Sequence, residues 1–252
     1  MTKLQVAWVA IFTAVLIWSG IGPHDYPTWL LEVTPAIIAA ALLWYTRERF
    51  PLTRLVYILI LIHCIILMIG GHYTYALVPL GDWVREAFDQ TRNNYDKLGH
   101  LAQGFIPAMV AREILIRNKV VNFPGWRDFL TVCVVLAISA FYELIEWWVA
   151  LLSEEAADSF LGTQGYVWDT QSDMWFALIG AVLALLIHDL MVFLTGAVIG
   201  VTLIGGAFLS GGNIPDGLPL ILSAIVGGIG LLVLSKTAIV FFTSAVGALL
   251  FG

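Results

Sequence analysis

FLTVCVVLAISAFYELIEWWVALL, residues 129–152, decides the fold. Coiled as an α-helix at about 1.5 Å per residue it would reach about 36 Å, enough to cross a hydrocarbon core of about 30 Å. Two acids interrupt it. Glu143 and Glu146 stand three residues apart, on one helical face. A carboxylate near the bilayer centre costs about 2.5–3.5 kcal/mol on insertion scales, and two neighbours repel each other as well. The pair therefore calls for a shared proton, a bound cation or a basic partner from another helix.

The rest of the chain matches this stretch. Its 252 residues are 60% hydrophobic and 12% charged, with a mean hydropathy of +0.90, far from the composition of soluble domains. The fold class is an all-α, polytopic transmembrane helical bundle. Further apolar runs lie at 5–21, 29–45, 53–70 and 98–116. Residues 173–210 are nearly unbroken, and a single helix of that length would reach about 57 Å, so two spans turning near His188 and Asp189 are expected. Runs at 218–234 and 236–251 follow, split by Lys236. The expectation is about nine spans: a six-span core plus about three glycine-rich spans. The first run has one lysine ahead of it and no Ala-x-Ala exit, so it reads as a retained helix and not as a signal peptide.

Charge assigns the sides. With the N-terminus in the cytoplasm, Lys3, Arg47, Arg49, Arg54, Arg112, Arg117, Lys119, Arg127 and Lys236 face inward, and only Arg85, Arg92 and Lys97 face outward. Acidic residues run the other way. The long segments 71–97 and 153–172 then lie outside, and their Trp and Tyr content suits the headgroup layer. Cys64 and Cys133 fall in apolar runs without a CxxC spacing, so neither points to a disulfide or a zinc site.

Three polar groups share the outer side. In YDKLGHLAQG, Asp96, His100 and Gln103 recur on one helical face, with Lys97 beside them. Glu143 and Glu146 form the second group. In WDTQSD, Asp169 and Asp173 are four apart, with Gln171 between them. Asp96, Lys97 and Asp169 also suit helix caps or interface anchors, Asp173 suits the positive end of its helix, and His100 alone could be a core histidine. The glutamate pair is harder to place without a function. Helical spacing, depth and the cost of unpaired acids together suggest one shared site, with Glu143, Glu146 and His100 as its acid–base centre. Glu143, Glu146, His100 and Asp173 are also the donor types of a divalent metal site. His63, midway along its run, reads as packed. In GGHYTY the glycines read as a helix exit, with His72 either reaching the outer site or facing water. No phosphate loop, dinucleotide fingerprint, GxSxG or HExxH is present, and no basic patch suits nucleic acid.

Taken together, MIGGHYTYALVPLG, NNYDKLGHLAQGFIPAMVAREIL, SAFYELIEWW and GTQGYVWDTQSDMWFALIGA resemble the YjdF-type bacterial inner-membrane proteins, a family of uncharacterised function. The resemblance covers about residues 1–190. The order DKxxH, acidic pair, DxQxD is more remotely similar to the VanZ-like membrane domains linked with glycopeptide (teicoplanin) resistance and the cell envelope. The resemblance implies an inner-membrane location and selects Asp96, Lys97, His100, Gln103, Glu143, Glu146, Asp169, Gln171 and Asp173 as motif positions, without roles.

Residues 191–252 depart from that pattern and form a second expected domain, rich in Gly, Ala and Ser. Gly196 with Gly200, Ala224 with Gly228, and Ser244 with Ala248 make small-xxx-small seams that allow close helix packing, within the chain or in a homo-oligomer. The functional expectation is a polar, acidic pocket open to the outside that binds or modifies a lipid-linked or other envelope substrate. A proton- or cation-coupled transporter is the first alternative, although inward of the cluster the sequence offers little beyond His63, Arg112 and Glu113. A non-catalytic accessory or sensor protein is the second.

Overall fold

The computed structural model describes residues 3–152, 164, 166–210 and 217–233, with the side chains of 204–210 outside that set. Among the described residues the chain is helical, with no strand. The helices are α1 (Lys3–Ser19), α2 (Tyr26–Thr46), α3 (Arg54–Tyr73), α4 (Pro79–Ala87), α5 (Tyr95–Arg117), α6 (Pro124–Leu152) and α7 (Asp169–Ser210), with a 3-10 turn at Tyr75–Leu77. A shorter apolar helix, α8, covers Gly217–Val233. Among the described residues four helices are long and apolar enough to cross a membrane: Tyr26–Thr46, Arg54–Tyr73, Pro124–Leu151 and Asp169–Leu203. The runs expected at 5–21 and 98–116 also form helices, α1 and α5; the run at 236–251 lies outside the described residues.

Local chemistry sets the boundaries. Asp25 caps α2, its Oδ2 accepting from the Thr28 amide at 2.8 Å, and Pro27 occupies the first turn, where a missing N–H is harmless. Thr53 precedes α3, and its amide and hydroxyl both donate to the Glu113 carboxylate, at 2.9 and 2.8 Å, tying the start of α3 to the far end of α5. Two expectations are corrected. The helix α3 does not exit at its glycines: it runs through Gly70 and Gly71, and the left-handed residue is Thr74, with φ of 52°. The glycines instead leave room, since a Cβ on Gly70 would strike the Tyr75 ring and one on Gly71 would crowd Glu32.

The second correction concerns residues 173–210. No turn occurs at His188–Asp189; α7 is one helix of 42 residues. Residues 181–195 contain neither Gly nor Pro, so nothing there can end a helix, and His188 and Asp189 meet each other at 3.3 Å. The two spans expected over this run are a single element.

The chain divides into two compact units. One comprises Met1–Ile114 and Leu130–Val182, and its apolar core includes Trp8, Phe12, Val33, Ala36, Ile60, Met68 and Ile106. Trp8 donates from Nε1 to the Tyr57 carbonyl at 2.8 Å, and Trp29 donates to the Ser19 hydroxyl at 3.1 Å, pinning α1 to α3 and α2. His72 is half-buried. Its Nδ1 pairs with the Ser19 carbonyl at 2.9 Å and its ring lies against Trp18. The other unit comprises Leu115–Phe129 and Leu183–Gly252. In it Gly196 lies against Gly227, and Gly200 against Ser223 and Gly227, where added Cβ atoms would strike backbone. The seam read at Gly196 and Gly200 is thus a packing surface, Gly228 lies against Phe193, and Ser244 and Ala248 lie outside the described residues.

Candidate functional site

Alternation of direction brings the starts of α2, α5 and α7 and the ends of α3 and α6 to one end of the first unit. Here α5 and α7 approach closely. A Cβ on Gly104 would meet the Ala177 carbonyl, and one on Gly180 would meet the Leu101 carbonyl, so the two backbones touch. That contact sets Lys97 and His100, one to two turns up α5, opposite Asp169 and Asp173 on α7. Lys97 Nζ donates to Asp169 Oδ1 at 2.7 Å and to Asp173 Oδ1 at 2.6 Å, and lies 3.3 Å from Asp96. Arg92 bridges Asp96 at 2.5 Å and Asp169 at 2.9 Å. Both cations lie near the Tyr166 ring, at 5.3 and 5.6 Å from its centroid. Five charged groups thus form one ion network, in which Asp96, Lys97 and Asp169 are paired with one another and with Arg92 and Asp173.

His100 and Glu143 make the second layer. His100 Nδ1 lies 3.9 Å from Glu143 Oε1, and His100 Nε2 lies 3.7 Å from Asp173 Oδ1. These separations exceed hydrogen-bond length. His100 Nδ1 and Glu143 Oε1 are buried and have no hydrogen-bond partner among the described residues. The residues themselves are 7%, 6% and 3% exposed for His100, Glu143 and Asp173, which makes unmet polar atoms costly. Gln103 interacts with His100, and Thr170 with Glu143. Ligand atoms of His100, Glu143 and Asp173 all lie within 4.8 Å of one another, as do those of Asp96, Asp169 and Asp173.

Glu146 is half-buried one turn further along α6 and lies in the field of Glu143 and Glu32. Gln171 departs from the expected set: two residues from each of Asp169 and Asp173, it points to another side of α7 and is exposed.

Glu32 is the residue the sequence reading missed. It is 3% exposed on α2, and Tyr142 Oη donates to its Oε2 at 2.9 Å, with Tyr75 as a further partner. The signal was available, because a lone acid inside YPTWLLEVTPAIIAAALL poses the same problem as Glu143. Arg92 was read only for its side of the membrane, and Tyr142 was not singled out. Asn93, 1% exposed, anchors the mouth of α5: its Oδ1 accepts from the Tyr95 amide and its Nδ2 donates to the Val78 carbonyl. Exposed Trp147, Trp148, Trp168, Trp175 and Trp83 mark the same end of the helices.

A family described as "Predicted membrane protein (DUF2238)" matches residues 4–195. The chain belongs to this family. It is 59% identical to the "Inner membrane protein YjdF" of Escherichia coli (strain K12) over 169 residues, 67% of this chain and 81% of that protein. No solved structure matches. Together with the apolar helices, membership makes this a multi-pass inner-membrane protein. Every residue of the polar cluster lies inside the family region, and the match ends at 195, immediately before Gly196, where the sequence turns glycine-rich.

Proposed function

We propose that this protein binds, and acts by acid–base chemistry on, a lipid-linked or other headgroup-bearing envelope substrate at the Glu143–His100–Asp173 centre, on the outer face of the inner membrane. The observation that carries the proposal is the imidazole of His100 held between two carboxylates, with Nδ1 and Glu143 Oε1 both unpartnered. Buried acid and base atoms left without a hydrogen bond are the ones an incoming molecule would engage. In this reading Glu143 and His100 move the proton, Glu146 supplies the neighbouring charge, and Lys97 fixes Asp173. The flanking tryptophans support headgroup depth, since Trp favours that layer.

The outward orientation rests on the positive-inside rule, with Arg47, Arg49, Arg54 and Arg112 at the opposite helix ends. A Gln90→Cys probe in a Cys64→Ala, Cys133→Ala background should react with an impermeant thiol reagent in intact cells; reaction only after lysis would reverse the assignment. We place α1, α2, α3, α5, α6 and α7 in a six-span core, with the glycine-rich residues after about 190 as an appended packing module. Truncation after Thr195 should leave the core folded, and loss of folding would refute the module.

The activity is tested by incubating detergent-purified protein with a total inner-membrane lipid extract and identifying retained lipids by mass spectrometry. Wild type should retain a headgroup-linked species that His100→Ala and Glu143→Gln lose by at least about tenfold. An identical lipid complement on all three proteins would reject the reading.

A further inference from the structure

We infer that His100, Glu143 and Asp173 form a binding site for one divalent transition-metal ion of the Mn²⁺ to Zn²⁺ class. The inference concerns the same centre as the proposed function, and names the ion that would complete it. Three observations converge.

The first is spacing. The 3.9 Å between His100 Nδ1 and Glu143 Oε1 and the 3.7 Å between His100 Nε2 and Asp173 Oδ1 are too long for direct hydrogen bonds. An ion binds one ring nitrogen, and two metal–ligand bonds of about 2.0–2.2 Å span up to about 4.4 Å, so an ion on His100 Nδ1 can also be held by Glu143 Oε1. The three residues offer one ligand atom each within 4.8 Å of one another. The second is the state of the donors. His100 is 7% exposed, its Nδ1 has no partner among the described residues, and it is aimed at a carboxylate oxygen that also has none. A structural ion network satisfies such atoms; this one leaves two of them facing each other.

The third is charge. Arg92 and Lys97 are committed to Asp96, Asp169 and Asp173. Among the described residues Glu143 has only His100 within salt-bridge distance, while Glu146 and Glu32 add further carboxylates nearby. An ionised Glu143 therefore needs a further cation beside it, which a bound dication would supply. One imidazole nitrogen with two carboxylates favours Mn²⁺, Fe²⁺ or Zn²⁺ over soft, thiolate-seeking ions. Lys97 Nζ, hydrogen-bonded to Asp173 Oδ1, orients that carboxylate as an outer-shell partner, and Gln103 does the same for the imidazole.

The test uses full-length protein purified in detergent, stripped with chelator and titrated with Zn²⁺ by calorimetry, with Mn²⁺ binding followed by electron paramagnetic resonance. Wild type should take up one equivalent of either ion and melt at higher temperature with it, because an ion bound only to the folded state stabilises it. Glu143→Gln and Asp173→Asn, which keep side-chain volume, should each weaken binding at least about tenfold, and His100→Ala should abolish it. Asp82→Asn, on α4 away from the cluster, should bind as wild type does. Uptake that survives all three site substitutions, or no uptake by folded wild type, overturns the inference. In the second case, continued loss of lipid retention in Glu143→Gln would leave the proposed function standing without a metal. Metal uptake with unchanged lipid retention would separate the two in the other direction.

Discussion

Replacing Lys97 by methionine removes the one ammonium that touches three carboxylates, and the structure sets the size of the effect. Lys97 Nζ lies 2.6 Å from Asp173, 2.7 Å from Asp169 and 3.3 Å from Asp96. Breaking a buried pair by deleting one partner costs about 3–5 kcal/mol, because the other charge stays buried and unmet. Arg92 still holds Asp96 and Asp169, so Asp173 bears the main loss, and the lower end, about 3 kcal/mol, is expected. At roughly 2–4 °C per kcal/mol for a chain of this size, Lys97→Met should lower the melting temperature by about 6–12 °C. Tryptophan fluorescence of the detergent-solubilised protein reports this directly. Adding Asp173→Asn removes the orphaned charge as well, so the double variant should recover at least half of the deficit. Melting of Lys97→Met within about 1 °C of wild type, or a double variant no better than the sum of the two singles, would refute the ion network as a structural unit.

Tyr142→Phe deletes the donor to Glu32 Oε2 and should destabilise by about 1–3 kcal/mol, read as a fall in melting temperature. Gly104→Leu forces a side chain onto the Ala177 carbonyl and should cost about 3 kcal/mol or more, whereas Gly125→Ala, in open space on α6, should be neutral or stabilising by up to about 1 kcal/mol. Asp25→Ala should cost about 1 kcal/mol at neutral pH. Hydrogen bonds from the Thr28 side chain and amide hold the Asp25 carboxyl below its ordinary value, so its contribution is complete above the unfolded value and disappears as pH falls through the lower folded one. Wild type and Asp25→Ala should therefore converge in stability at acid pH and separate as pH rises.

Much of this architecture was legible because the bilayer imposes length. The runs beginning near residues 5, 29, 53, 98 and 129 each became a helix, since a membrane-crossing segment must satisfy its backbone internally. The break expected at His188 failed because length called for it and a polar pair was taken to place it, whereas residues 181–195 hold neither Gly nor Pro, the strongest helix breakers. The site was legible where acids or histidine recurred at helical spacing, as with Asp96 and His100 or Asp169 and Asp173. At Glu32 the lone acid was legible but its partners were not, because Tyr142 and Tyr75 come from distant parts of the chain, and Gln171 was grouped with motif neighbours that point elsewhere. The GGHYTY glycines were misread because close approach and chain reversal ask for the same residue, and only the Tyr75 ring distinguishes them.

The contact of α5 and α7 at Gly104 and Gly180 has a mechanical consequence. With backbone against backbone there is no layer of side chains to compress, so the crossing acts as a fulcrum. Lys97 stands seven residues above it, an arm of about 10 Å, and a change of about 6° in the crossing angle would displace the site groups by about 1 Å. Glu113, latched to Thr53, stands nine residues below on the other arm of α5, about 13 Å away. A wedge or clamp at the carboxylate end is therefore matched by a slightly larger displacement at the Glu113 latch, and thiol-linked distance probes on the two arms would register the motion as a scissoring of one helix pair.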